Sequence, residues 1–109
     1  MALTEGTDYE IVGSGTDGVI KTIYIRTINT VDDSDEIDID LTKYGISATG
    51  LMRVLGWIHT TANSIMAQEQ PTTAVSSGTL TITVGGSTDN KQRYYEVVGF
   101  TEPNPSSSI

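Results

Sequence analysis

Alternating polar and apolar residues are clearest in residues 36–41, which run Glu-Ile-Asp-Ile-Asp-Leu. A period of two places the three aliphatic side chains on one face of a strand and the three carboxylates on the other. Residues 79–84 alternate in the same way, with Leu80, Ile82 and Val84 on the face that we expect to be buried. Both segments therefore predict strands with one buried face.

Other segments rich in Val, Ile, Thr or aromatic residues also predict strands, at residues 9–12, 19–28, 52–61, 64–68 and 93–101. A polar turn separates 79–84 from 93–101, so these two are predicted to pair as an antiparallel hairpin. Residues 48–58 also fit helical spacing, which leaves a helix as an alternative there. Gly50 and Gly56 favour the strand.

The length of 109 residues suits one domain. Seventeen Thr and eleven Gly accompany the short strands and their turns. We therefore predict an all-β fold, a small antiparallel β-sandwich or jelly-roll-like domain of six to seven short strands. Residues 9–101 would form this domain, with a flexible arm at 1–8 and a flexible tail at 102–109, where Pro and Ser dominate.

The charge balance is strongly acidic, with a net charge of −8 and only six Lys and Arg residues. Such a surface repels phosphate backbones and anionic lipid, so we expect neither nucleic acid nor membrane as a partner. The chain contains no cysteine, which excludes disulfides and thiolate metal sites. It also lacks a spanning-length apolar run and a signal-peptide pattern at its start, so the product is expected to stay soluble where it is made.

Candidate chemistry begins with the acidic run 32–40, which holds six of the fourteen acidic residues. Clustered carboxylates can bind Ca²⁺, but the spacing is not that of an EF-hand and part of the run lies along a strand. A solvated strand face is the interpretation that we favour. The glycine-rich segment 13–18 has G-x-G-x-x-G spacing, yet it leads into a strand rather than a helix, so it predicts a turn.

His59 is the only histidine, and no motif places a nucleophile beside it. A structural role next to Trp57 and Leu55 is the simpler interpretation. We therefore predict a protein without enzymatic activity, with no catalytic residues, no cofactor and no metal.

Apolar side chains occupy both faces of residues 19–28, more than a small monomer easily buries, which indicates contact with a sister subunit. Tyr94 and Tyr95 are consecutive in a strand and must point to opposite faces. The candidate interface residues are Ile23, Tyr24, Ile25, Trp57, Tyr94 and Tyr95. Exposed aromatic rings of this kind also suit a glycan-binding β-sandwich module, which stays open as an alternative.

The acidic alternation at 35–41, the segment 54–61 and the Thr-rich segment 71–87 together resemble small structural proteins of tailed bacteriophages. The resemblance extends from residue 32 to residue 99. It implies a virion protein made in the host cytoplasm, most specifically a capsid decoration or cement protein on the outer head shell. Its partner would be the major capsid protein, and its own state a homo-oligomer, with a trimer favoured. A head–tail or tail component is the structural alternative.

Overall fold

The structure, a computed structural model, describes residues 1–61, 65–86 and 88–103, apart from the side chains of residues 61 and 65. The described residues form eight strands and one short 3₁₀ helix, Leu41–Tyr44. The strands are β1 Tyr9–Asp17, β2 Ile20–Thr27, β3 Glu36–Asp40, β4 Leu51–Thr61, β5 Ile65–Gln68, β6 Thr72–Ser76, β7 Thr79–Thr83 and β8 Arg93–Phe100.

The strands form two antiparallel sheets, one with the order β1-β2-β8-β4-β5 and one with the order β3-β7-β6. A single cluster of buried side chains draws members from both sheets, so the sheets pack face to face around one core. The prediction of a small all-β antiparallel sandwich is confirmed. It contains more strands than the six to seven expected.

The core is built from the alternating positions that the sequence marks as apolar. Ile37 and Ile39 of β3 lie opposite Ile82 and Leu80 of β7, and none of the four side chains is more than 1% exposed. On the five-stranded sheet, Val97 of β8 lies between β2 and β4 in the same layer of the core. Burying each aliphatic side chain of this size contributes about 1.5–3 kcal/mol, so this alternation is a principal source of stability.

Residues 51–61 form a strand, not a helix, and Gly56 shows why a strand fits there. Its Cα faces the core opposite Tyr95. A Cβ at this position would meet Tyr95 Cε1 at 2.9 Å and Pro71 Cδ at 3.0 Å. Val54 and Ile58 are buried on the same face, as their spacing predicts, because alternate residues of a strand share a side.

The predicted hairpin between 79–84 and 93–101 is wrong. β7 pairs with β3 and β6, whereas β8 lies between β2 and β4 in the other sheet. The reason is β6, a strand that the sequence analysis missed. A two-residue turn joins β6 to β7, and its residues Ser77 and Gly78 both have positive φ, 51° and 80°, as a type I′ hairpin turn requires. This local pairing occupies the edge of β7 that β8 was expected to use.

The glycine-rich segment 13–18 is mostly strand rather than turn. β1 continues to Asp17 through a bulge between Ile11 and Gly13, and the chain reverses only at Gly18 and Val19. Small residues in a strand allow such a bulge. The first hairpin is consequently much longer than the predicted 9–12 strand.

Arg93 closes one end of the core with a fully buried guanidinium group. Its Nε donates to Glu69 Oε1 at 2.7 Å, and its Nη1 donates to the Val31 carbonyl at 2.7 Å. Its Nη2 donates to the Thr88 carbonyl at 2.6 Å and more weakly to the Gly85 carbonyl at 3.4 Å. One side chain thus ties together the loop before β3, the end of β5 and the loop after β7.

Residues 1–3, at the start of the segment 1–8 that was predicted to be a flexible arm, lie against the first residue of β3. Leu3 N–H donates to the Glu36 carbonyl at 2.8 Å, and Glu36 N–H donates to the Met1 carbonyl at 2.9 Å. Of the predicted tail 102–109, residues 104–109 lie outside the described residues. Across the described part of the chain, no helix has the length and apolar character needed to cross a bilayer.

Candidate functional site

The outer face of the five-stranded sheet, the side turned away from the core, carries a row of large side chains. Arg26 of β2 lies directly opposite Tyr94 of β8, and Tyr94 lies directly opposite Trp57 of β4. Residues opposite one another in adjacent strands have Cβ atoms about 4.5–5.5 Å apart, so these side chains are neighbours. We call Arg26, Tyr94 and Trp57 the aromatic row.

Tyr24 lies beside the aromatic row, two residues before Arg26 on the same face of β2. Its side chain is 45% exposed, which is high for a large aromatic residue in a strand flanked on both sides. Glu96 of β8 lies opposite Tyr24, and Leu55 of β4 lies opposite Glu96 on its other side. Tyr24 therefore extends the apolar surface along the sheet from the aromatic row.

Charge on this face is balanced by two pairs of side chains. Arg26 Nη2 lies 2.6 Å from Glu10 Oε1, and Arg53 Nη2 lies 3.8 Å from Glu96 Oε1. Both arginines are more than half exposed, so each pair adds little to stability. Their consequence is electrostatic, because two pairs of opposite charge keep this face close to neutral in a chain of net charge −8.

His59 packs against the aromatic row through Tyr94. The two rings meet edge to face with centroids 5.2 Å apart, and His59 Nε2 lies 3.1 Å from the Tyr94 hydroxyl oxygen. His59 Nδ1 is buried and has no hydrogen-bond partner among the described residues. The small depression beside His59 is lined by Thr30, Asn90, Lys91 and Gln92, a set without a carboxylate or a nucleophile positioned by the imidazole. The contact with His59 therefore helps to fix the orientation of the Tyr94 ring.

A second depression of about 270 Å³ lies at the same end of the outer face. It is lined by Tyr94, by the polar residues Glu10, Arg26 and Gln92, and by Thr27 and Ile28. A shallow site that joins an aromatic ring to paired hydrogen-bonding groups can hold a small polar ligand. It is continuous with the aromatic row because both contain Arg26 and Tyr94.

The six predicted interface residues separate into two groups. Tyr24, Trp57 and Tyr94 come together on the outer face. The side chains of Ile23, Ile25 and Tyr95 are no more than 1% exposed and belong to the core, so they are not available to a partner and the prediction is corrected for these three. One apolar face of residues 19–28 packs against the three-stranded sheet of the same chain. The sequence analysis did not anticipate that a second sheet of the same chain would cover this face.

The acidic run 32–40 does not converge on one point. Asp38 accepts a hydrogen bond from the Thr81 hydroxyl at 2.7 Å, and Asp40 accepts one from Thr42 N–H at 3.2 Å at the start of the 3₁₀ helix. Asp35 is nearly buried and accepts from Asp32 N–H at 2.9 Å. The described residues contain no group of three or more His, Asp or Glu placed to hold a metal ion.

The charged pair of the outer face, Arg26 and Glu10, was not singled out from the sequence. Arg26 and Glu10 lie 16 residues apart, and only the register of β1 with β2 brings them opposite each other. The sequence did contain a signal for Arg26 and Glu10, because both are charged residues within segments that otherwise favour strands. Comparison with known proteins gave no match to a family model, a curated protein or a solved structure.

Proposed function

We propose that the protein is a non-enzymatic structural subunit of a virion, a capsid decoration protein that binds the outer head shell through the outer face of its five-stranded sheet. The observation that carries the contact mechanism is the aromatic row with Tyr24 beside it. Tyr, Trp and Arg are the residues that dominate binding energy at protein interfaces. The assignment to a virion depends on the resemblance of residues 32–99 to tailed-phage structural proteins.

The architecture suits such a role. The main core cluster, which draws its members from both sheets, does not include Tyr24, Trp57 or Tyr94, so these side chains can contact a partner without disturbing it. A rigid sheet presents its side chains in fixed positions, which lowers the entropy lost on binding. The paired charges keep the face from repelling an acidic partner, although the chain as a whole carries −8.

The experiment is sedimentation of purified protein with empty head shells of the phage that encodes the chain. Wild-type protein should sediment with the shells. Trp57→Ala and Tyr24→Ala should each weaken binding at least tenfold, since each removes a contact of about 1.4 kcal/mol or more. Val19→Ala removes an exposed apolar side chain outside the aromatic row and should bind as the wild type does.

Failure of the wild-type protein to sediment with the shells would refute the assignment as a capsid decoration protein. Equal binding by the wild type, Trp57→Ala and Tyr24→Ala would instead refute the assignment of the outer face as the contact surface. Thermal unfolding of each variant controls for loss of the fold.

A glycan-binding module is the second candidate, and the depression that contains Tyr94, Glu10, Arg26 and Gln92 favours it. A ring beside several hydrogen-bonding groups matches the alternating apolar and hydroxyl faces of a sugar. Binding on a glycan array that is lost in Tyr94→Ala and Trp57→Ala would support this function. Tyr95 is buried, so substitution there would report on stability instead.

A further inference from the structure

β6 is an edge strand with an unusual composition for this chain. All five of its residues, Thr72–Ser76, are exposed, and within the described residues it pairs only with β7. The chain has no charged residue from Gln70 to Thr88, although its net charge is −8. The β6–β7 hairpin is therefore an uncharged surface on an acidic protein.

The other edge strands that the structure describes each carry a feature that discourages pairing with another chain. β3 is paired at its first residue, Glu36, with the segment 1–3, and it bears three carboxylates on its exposed face. β1 is interrupted by the bulge at Ile11 and Gly13, and β5 has only four residues beside an irregular stretch of β4. Charge, bulges, covering segments and short length are the usual protections of sheet edges. Within the part of the chain that the structure describes, β6 carries no charge, no bulge and no covering segment.

The backbone groups that β6 presents outward follow from its turn. A two-residue hairpin loop makes its flanking residues, Ser76 and Thr79, a hydrogen-bonded pair. Because hydrogen-bonded and non-hydrogen-bonded pairs alternate, the N–H and C=O groups of Ala74 and Thr72 also point toward β7. Those of Thr73 and Val75 point away from the sheet.

We propose that β6 pairs with β6 of a second copy of this chain, antiparallel about a two-fold axis. Thr73 would then form a hydrogen-bonded pair with Val75 of the partner subunit, and Val75 with Thr73 of the partner subunit, giving four backbone hydrogen bonds. Ala74 lies on the axis in a non-hydrogen-bonded pair, where side chains approach most closely and a methyl group fits. Two three-stranded sheets become one six-stranded sheet.

A second copy is the occupant that the charges favour. Two molecules of charge −8 repel one another, and an uncharged edge is where they can approach at the lowest electrostatic cost. The two-fold arrangement is self-complementary and closes after two subunits, so it leads to a dimer and not to a filament. The proposal does not depend on the capsid function, and its test uses the isolated protein.

Sedimentation equilibrium from about 10 μM to about 1 mM tests the pairing, because dimerisation depends on protein concentration. The wild-type protein should shift from monomer to dimer. Val75→Pro removes an N–H group that points outward and is not bonded to β7, and proline is tolerated at such a position of an edge strand. Ala74→Asp places the carboxylates of the two subunits against each other on the two-fold axis. Both variants should stay monomeric. Thr16→Asp adds the same charge to the edge strand β1 and should dimerise as the wild type does.

Amide hydrogen exchange on the wild-type protein gives a second readout, which does not depend on whether a variant folds. The amides of Thr73 and Val75 should exchange more slowly as the concentration rises, while the amide of Ala74, already bonded to β7, should not change. A wild-type protein that stays monomeric up to about 1 mM would overturn the proposal. So would a dimer that survives both variants, or a trimer in which the Thr73 and Val75 amides exchange freely.

Discussion

Replacing Arg93 with Met would remove the guanidinium group from one end of the core and keep much of the apolar length of the side chain. In the folded protein Arg93 has no exposed surface, and it donates to Glu69 and to the carbonyls of Val31, Thr88 and Gly85. Methionine donates none of these hydrogen bonds. The substitution would therefore leave the Glu69 carboxylate and backbone carbonyls without their donor.

The expected loss follows from the burial of this pair. Removing one partner of a buried ion pair costs about 3–5 kcal/mol, because the remaining charge is left uncompensated. The Glu69 side chain is 11% exposed and keeps some access to water, so we expect a value near the lower limit, about 3 kcal/mol. A domain of this kind is stable by about 5–15 kcal/mol in total, so the loss is a large fraction.

The assay is guanidinium chloride unfolding at neutral pH, followed by far-UV circular dichroism and by the fluorescence of Trp57, the single tryptophan. Arg26→Met is the matched control, because Arg26 pairs with Glu10 on the exposed outer face and its loss should cost less than about 1 kcal/mol. If Arg93→Met costs no more than Arg26→Met, the buried guanidinium does not hold this end of the core and the reasoning is wrong.

The remaining predictions concern buried tyrosines and a close approach of two strands. The Tyr95 hydroxyl is buried and has no hydrogen-bond partner in the described ranges of the chain, so Tyr95→Phe should be neutral or stabilising by about 1 kcal/mol in chemical unfolding. Tyr9→Phe should instead cost about 1 kcal/mol, because the Tyr9 hydroxyl donates to the Asp38 carbonyl at 3.2 Å. Burial raises the pKa of Tyr9 to about 12 and also raises the pKa of Tyr95. The folded state therefore keeps protons that the unfolded chain loses near pH 10. The contribution of these two tyrosines to stability should not change with pH below about pH 10, and stability should fall as pH rises from about 10 toward 12, with a shallower fall in the double Phe variant. Gly56→Ala should lower the free energy of unfolding by about 1–3 kcal/mol, because a Cβ there collides with a backbone carbonyl and with the Tyr95 ring. Gly15→Ala is the control, because a Cβ at Gly15 meets nothing within 4 Å, and thermal unfolding should show no comparable loss of stability.

The sequence predicted the elements whose signal is local. The alternation in residues 36–41 and 79–84 identified both strands and their buried faces, because a half-buried strand imposes a period of two on its side chains. The glycines within residues 51–61 correctly favoured a strand over a helix. The opposite orientations of Tyr94 and Tyr95 also followed from the strand itself, with Tyr95 as the core residue.

Pairing between strands could not be predicted in the same way. β6 is exposed on both faces, so it shows no alternation, and without it β7 was assigned to the wrong neighbour. Burial of Ile23 and Ile25 depends on a second sheet that covers β2, which composition alone does not reveal. Arg93 was not recognised as a core residue, because its acceptors lie on three separate loops that only the fold brings together.

The most direct test of the proposed decoration function is cryo-electron microscopy of the particle that is proposed to carry this chain. A decoration protein that binds as proposed should give density for the sandwich on the outside of the head, with Tyr24, Trp57 and Tyr94 directed at the shell. Particles whose heads lack this density, or in which the chain lies in the tail, would contradict the assignment as a decoration protein. Density on the head with the aromatic row facing solvent would contradict the proposed contact surface.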